Sequence, residues 1–299
     1  MFNISPVLKE GYNHAVTLNL QQKGSKLAIC VREEIQNTQR YFYDRIAPTE
    51  AIDVTSRHGN TPLIETQYDR RMVTLITSDW GDLIDKEDQL KMLSDPTSAY
   101  ALNAAYALGR KKDTRILEAA LGIAWTGVKG DVAVPLPASQ TIKADYTEGV
   151  QAKSATAGSG LTLAKLRMAR QILDDADVDD DEEQYCIVTA KQVNDLLKTT
   201  EITSDDYNSV RSLVDGKINT FMGFNFKRVS SALLPKNENG ERRIVCYAKS
   251  GLLLALAGDI KTDISIRADK RMATQVYASL SCGATRMDER KVVEILCKE

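Results

Sequence analysis

Apolar and polar positions alternate most informatively between Asp95 and Gly122. Bulky apolar residues there are few (Leu102, Leu108, Ile116, Leu117 and Leu121), and Gly109 is the single glycine inside the stretch. Pro96, Thr97 and Ser98 supply a proline suited to a first turn and polar capping groups. Gly122 is a natural stop. The pattern predicts a helix over 96–122, roughly 40 Å long at about 1.5 Å per residue. Helices in globular domains average only about 11–12 residues. Ala101, Ala104, Ala105, Ala107, Ala119 and Ala120 keep it thin, so that a sheet or another helix can come close. Its middle (Arg110, Lys111, Lys112, Asp113, Arg115) is charged. A narrow apolar stripe with charged flanks describes a long supporting element, and equally a surface helix of an α+β enzyme.

The remaining pattern divides into three. Residues 1–28 lack periodicity and read as an extended arm ending in a short strand over 26–31. Residues 49–80 read as a long two-stranded hairpin, with strands at 51–55 and 67–77 and a turn cluster at 57–62. Such a hairpin is marginal in water by itself, so it needs another surface. Residues 80–94 read as a short helix. After a strand at 140–144 and a loop at 154–160, apolar spacing predicts a helix over 161–174. From there the chain reads as α/β: strand 184–188, helix 190–197, helical stretch 205–214, and strands 223–229 and 242–248. An apolar helix over 249–256 comes next, then strands 262–267, 275–281 and 291–297.

Composition narrows the class. With 299 residues and an apolar fraction of 43%, the chain can build about two domains with real cores. Basic and acidic residues balance at 39 and 41, which gives no basic field for an outer nucleic-acid surface. Five scattered cysteines (Cys30, Cys186, Cys246, Cys282, Cys297) without CxxC spacing read as reduced thiols. The start, Met1 to Val16, lacks the basic region and following apolar run of a signal peptide. The longest apolar run, Gly251 to Gly258, is too short for a membrane span.

Catalytic and binding motifs are sparse. Lys111-Lys112-Asp113-Thr114 lies inside the long helix and lacks the glycines of a phosphate loop. Asp175, Asp177 and Asp179 have the first spacings of a calcium loop, but Asp180 replaces its glycine and Cys186 its closing glutamate. The acidic run 174–183 therefore reads as a solvated loop. His14 and His58 have no metal-ligating neighbours at local spacing. Gly158-Ser159-Gly160 reads as flexible, not as a nucleophile elbow. Tyr41, Phe42 and Tyr43 beside Arg40 and Arg45 could stack bases, yet fit a packing anchor better. The expectation is no catalytic, cofactor-binding or metal residue and no enzyme; the competing reading is a soluble α+β enzyme whose site comes from sequence-distant residues.

The order of parts resembles the major capsid protein of tailed bacteriophages, with its Hong Kong 97-like α+β fold. The wording that carries the resemblance is Thr61 to Gln67 with Asp69-Arg70-Arg71, Asp95 to Ser98, Ala101 to Ala105, Ala119 to Gly122, Trp125 to Gly127, Ile264 to Arg271, and Val276 to Ala284. The resemblance implies an N-terminal arm over 1–48, an extended β-hairpin loop over 49–80 lying on an adjacent subunit, and a peripheral domain over 81–130 containing the spine helix. It further implies an α/β axial domain over 131–258, peripheral return strands over 259–289 and a final axial strand over 290–299. The implied function is a structural shell of hexamers and pentamers enclosing double-stranded DNA, assembled in the bacterial cytoplasm and resident in the virion. Its implied partners are a separate scaffolding protein, a portal and weak nonspecific contact with DNA, with no membrane and no cofactor. No heptads of an internal scaffolding segment are present, and Met1 favours one never having been encoded. No lysine stands between Lys26 and Lys86, so the loop lacks a cross-linking lysine; noncovalent contacts or a cement (decoration) protein take its place. Asp69, Arg70 and Arg71 are expected to make inter-subunit ion pairs. Arg110, Lys111 and Lys112 are expected to face neighbours or the interior, and Gly109 to be where the helix bends if the shell expands.

Overall fold

The computed structural model describes residues 21–53, 57, 60, 61, 63–85, 97–146, 158–179, 181–198 and 220–299. His14, His58, the helical stretch expected at 205–214 and most of the one expected at 80–94 lie outside these residues. After a short turn at Ala28–Cys30 come strands β1 (Arg32–Ile35), β2 (Arg40–Ile46), β3 (Tyr68–Thr74) and β4 (Ile76–Ile84), then helix α1 (Thr97–Leu121). Strands β5 (Ala124–Thr126), β6 (Val132–Val134) and β7 (Thr141–Ile142) lead to α2 (Leu163–Asp174), β8 (Gln184–Val188) and α3 (Ala190–Lys198). The C-terminal part is all strand: β9 (Thr220–Phe221), β10 (Phe224–Arg228), β11 (Arg242–Ala248), β12 (Leu252–Leu256), β13 (Lys261–Arg267), β14 (Ala273–Arg286) and β15 (Val292–Cys297). Two compact units result, one of Met1–Ser25, Thr77–Lys111 and Asp259–Leu280, the other of Lys26–Ile76, Lys112–Gly258 and Ser281–Glu299.

The larger unit centres on a six-stranded mixed sheet in the order β7-β15-β11-β8-β10-β9. β8 is buried at all five positions, as expected of a short continuous apolar run in mid-sheet. It pairs parallel to β10 and antiparallel to β11, with α3 in the β8-to-β10 connection. Helix α2 starts where the Thr162 side chain accepts the Lys165 amide, and it buries Leu163, Leu166, Ala169 and Leu173. These join Ile187's neighbours Cys186 and Val188, together with Phe224, Phe226, Ile244 and Ile295, in one core. Each fully buried large side chain there contributes roughly 1.5–3 kcal/mol.

The same unit holds an antiparallel sheet in the order β2-β3-β5-β6, and β12 between parallel β1 and the antiparallel end of β14. Two expectations change here. The strand that pairs with β3 is 40–46, with Arg40 opposite Thr74 and Ile46 opposite Tyr68; of the expected 51–55, residues 51–53 are not in a strand and 54–55 lie outside the described residues. The aromatic cluster was the strand, because β-branched and aromatic side chains suit a pleated surface. Leu252–Leu256 is a strand, not a helix. A short apolar run has no periodicity to separate the two, and burial between β1 and β14 decides for strand.

In the smaller unit, β13 pairs antiparallel with residues 273–279 of β14, and β4 also pairs with β14. Trp80 to Ile84 therefore belongs to a strand where a helix was expected. The turn joining β13 to β14 has Arg271 and Met272 both left-handed, at φ 51° and 59°, with the Ala273 amide donating to the Lys270 carbonyl at 2.9 Å. Two successive left-handed residues, neither glycine nor asparagine, thus close the five-residue connection between Arg267 and Ala273.

Candidate assembly surfaces

The base of the β2–β3 hairpin is tied into its own subunit by charge. Asp69 accepts from the Arg45 guanidinium, the Thr126 hydroxyl and, at 2.8 Å, the Arg70 amide. Partial burial raises the Asp69 carboxyl, but those three donors outweigh it and bring the pKa down to about 2. Arg70 points the other way. Its guanidinium lies 5.5 Å from the centre of the Phe42 ring and 3.4 Å from Asp44 across the strand pair, and it is part-exposed. Arg71 is 1% exposed and pairs with Glu289. Asp69 and Arg70 are both part-exposed, but Asp69 is taken up by three donors within the subunit, which leaves Arg70 with the less committed charge; Arg71 is buried.

Glu289 is the hub that the linear sequence hid. Arg71 and Arg286 both approach it, Arg286 at 3.7 Å, and Arg45 lies at 3.8 Å. Burial lowers the Arg71 and Arg286 pKa values, and the Glu289 charge opposes that shift. Arg286 is fully buried and donates to the carbonyls of Ala120 (3.0 Å), Gly122 (3.0 Å) and Val134 (2.9 Å). Arg243 reaches the Leu121 carbonyl at 3.3 Å. The two guanidinium groups thus satisfy the orphan carbonyls at the C-terminus of α1, where the helix dipole favours cations. The Gly122 amide closes the last turn on Glu118 at 2.8 Å.

The charged middle of α1 also has partners. In the smaller unit, Arg110 donates to the Gln21 side chain at 2.8 Å and to the Gln22 carbonyl at 3.3 Å, while Asn103 accepts from Gln21 at 3.1 Å. Lys111 and Lys112 are half-buried. The helix runs unbroken through Gly109, which is buried. In the larger unit, Asp113 is fully buried and accepts the amides of Lys26 (3.0 Å) and Leu27 (3.0 Å).

The polar groups singled out in the sequence are taken up by structural contacts. Ser159 bonds the Ala144 carbonyl at 3.2 Å, beside Lys165. Lys165 is fully buried, and its ammonium donates to the carbonyls of Ala144, Ser159, Gly160 and Leu296 at 2.9–3.1 Å. Burial pushes its pKa below the ordinary lysine value. In the acidic run, Glu182 is taken by Lys291 and the Ser250 amide, and Glu183 by Lys249 and Tyr185. Among the described residues no group of three or more His, Cys, Asp or Glu is arranged to hold a metal ion. No helix among them is long and apolar enough to cross a membrane.

Apolar side chains do stand uncovered. Leu63 is 95% exposed in the loop between β2 and β3, where Ile52 and Ile64 are exposed too. On one face of the adjoining sheet, Ile46, Tyr68 and Trp125 are exposed around Phe42 and Met72. Alternation along each strand puts these residues on the face opposite Tyr43, Arg71 and Val73. Tyr43 and Val73 pack on Leu253 and Ala255.

The comparisons agree with one another. The family model described as "Phage capsid protein" matches residues 4–299. The capsid of the cyanophage P-SCSP1u superposes with a TM-score of 0.73 at 14% identity, over 98% of this chain and 94% of that one. The capsid of Ralstonia phage GP4 gives 0.73 at 10% identity, over 100% and 99%. That of cyanophage Pam1 gives 0.71 at 13%, over 99% and 98%. No curated protein matches the sequence. With uncovered apolar surface, a Hong Kong 97-like fold and a family match along nearly its whole length, the chain belongs to the phage capsid protein family as a structural major capsid protein of an icosahedral shell.

Proposed function

We propose that the chain is the repeating subunit of a shell of hexamers and pentamers, with the β2–β3 hairpin as the loop laid on a neighbour. The family match over residues 4–299 carries this reading. Leu63, Ile52 and Ile64 support it: an exposed apolar loop tip loses water contact only against a second surface. In this assignment α1 is the spine of a peripheral domain together with β13 and β14, and the six-stranded sheet with α2 and α3 is the axial domain. Arg70 is the inter-subunit candidate of the hairpin, and Lys111 and Lys112 those of the helix. Assembly takes place in the bacterial cytoplasm with a separate scaffolding protein and a portal. A cement protein is a further partner, and packaged DNA is held by weak contacts set by salt.

The test is assembly itself. Purified protein, alone and with a scaffolding protein, is sized by sedimentation and viewed by electron microscopy. Shells, rings or tubes are expected. A subunit that stays monomeric or dimeric under every condition overturns the reading.

A further inference from the structure

We propose that Cys186 and Cys246 are a modification site, a dithiol that closes into a cross-strand disulfide once the particle meets an oxidising medium. The two residues face each other directly in the antiparallel β8–β11 pair. Opposed residues in such a pair have Cα atoms about 4.5–5.5 Å apart, inside the window of about 4.4–6.8 Å that a disulfide requires. Their sulfurs are 3.1 Å apart, with the Cys246 thiol donating to Cys186. Small side-chain rotations bring them to the bond length of about 2.0 Å. Among the five cysteines this is a pair in direct sulfur–sulfur contact, in the centre of the six-stranded sheet.

The chemistry is a two-electron oxidation by a small oxidant such as hydrogen peroxide. One sulfur, as its thiolate, attacks a peroxide oxygen and breaks the O–O bond, giving a sulfenic acid and, with a proton, one water. The second sulfur attacks the sulfenic sulfur and expels the oxygen as a second water, taking up the proton it released. Two thiols and one peroxide become one disulfide and two waters. Burial makes the first step slow, because both thiols are fully buried and Cys186 is held protonated by desolvation. Slow closure suits a subunit made in a reducing cytoplasm and used outside it. This rationale rests on the capsid reading above, since virion surfaces are where disulfides persist. The closed loop spans 60 residues. A crosslink of that span acts chiefly on the unfolded chain and raises stability without new native contacts.

Reduced subunit and assembled particles are each incubated with hydrogen peroxide, then denatured in an alkylating agent and analysed by intact mass and peptide mapping. Expected are a mass loss of about 2 Da, two hydrogens, in a Cys186–Cys246 linked peptide, and a thermal midpoint several degrees higher that reverts with reductant. Cys186→Ala removes both effects. Both thiols remaining alkylatable after treatment, even just below the melting temperature, overturns the proposal. A subunit that forms the bond but never assembles counts against the capsid reading and not against the disulfide.

Discussion

Gly109 lets the backbone of Gly24 rest against helix α1: a Cβ at position 109 would lie 2.6 Å from the Gly24 Cα and 2.8 Å from the Ser25 amide nitrogen. The glycine serves close approach here. Gly109→Ala should therefore destabilise, although alanine is the better helix former by roughly 1 kcal/mol. Overpacking of this kind costs about 1–3 kcal/mol. Hydrogen exchange over residues 21–25 should speed up while the helix stays protected. Slower exchange there would remove the steric explanation.

Glu289 should be the most sensitive charged residue of the larger unit. Glu289→Gln leaves the buried Arg71 and Arg286 guanidinium groups without their carboxylate, a loss of about 3–5 kcal/mol. Arg71→Leu should cost less, since Arg286 and Arg45 remain near Glu289. Urea midpoints of the two variants decide the order.

Arg70 and Arg71 should separate in assay. Arg70→Glu keeps the fold, because its present contacts to Phe42 and Asp44 are part-exposed, and lowers the yield of shells. Arg71→Glu places a second carboxylate against Glu289 in a buried site and should lower the melting temperature of the subunit itself. Calorimetry and sedimentation together read both effects. Normal shells from Arg70→Glu would leave that residue without an assembly role.

Acid should loosen the C-terminal strand region through Glu299. Hydrogen bonds from Arg242, at 2.9 and 2.8 Å, then those from Lys236 and Gln192, bring its carboxyl to about 2 from an ordinary 4.5, against a smaller opposing effect of burial. A depressed folded-state pKa contributes stability that is complete above about 4.5 and lost as pH falls through about 2. Thermal midpoints of wild type should thus decline between these values. Glu299→Gln should start lower at pH 7 and show a flatter decline.

The Arg271–Met272 turn should tolerate improvement. Replacing it with Asn-Gly, which left-handed positions favour, should raise subunit stability by about 1–2 kcal/mol. An unchanged or lower melting temperature would show that the two side chains stabilise the turn by contacts outweighing its backbone.

These features were unequally legible in the sequence. α1, β8, β11 and β15 could be read directly, because caps, a long helical period or continuous apolar runs specify them locally. β12 and β4 could not: Leu252–Leu256 and Trp80–Ile84 become strands only through partners far along the chain. Arg71 read as a partner for an inter-subunit ion pair because nothing local announces Glu289, 218 positions away. Nothing local marks Lys165 either: its four carbonyl acceptors are Ala144, Ser159, Gly160 and Leu296. Arg45 was noted only for its aromatic neighbours, yet it holds Asp69.

The paired arginines at the end of α1 also have a mechanical meaning. A helix under tension ordinarily fails at its frayed last turn, where carbonyls have no successor to hold them. Here Arg243 of β11 and Arg286 of β14 grip the carbonyls of Leu121, Ala120 and Gly122. A pull on the helix is thereby shared between two sheets before any turn can peel away. For a wall that must bear load, this rivets a beam at its weakest point.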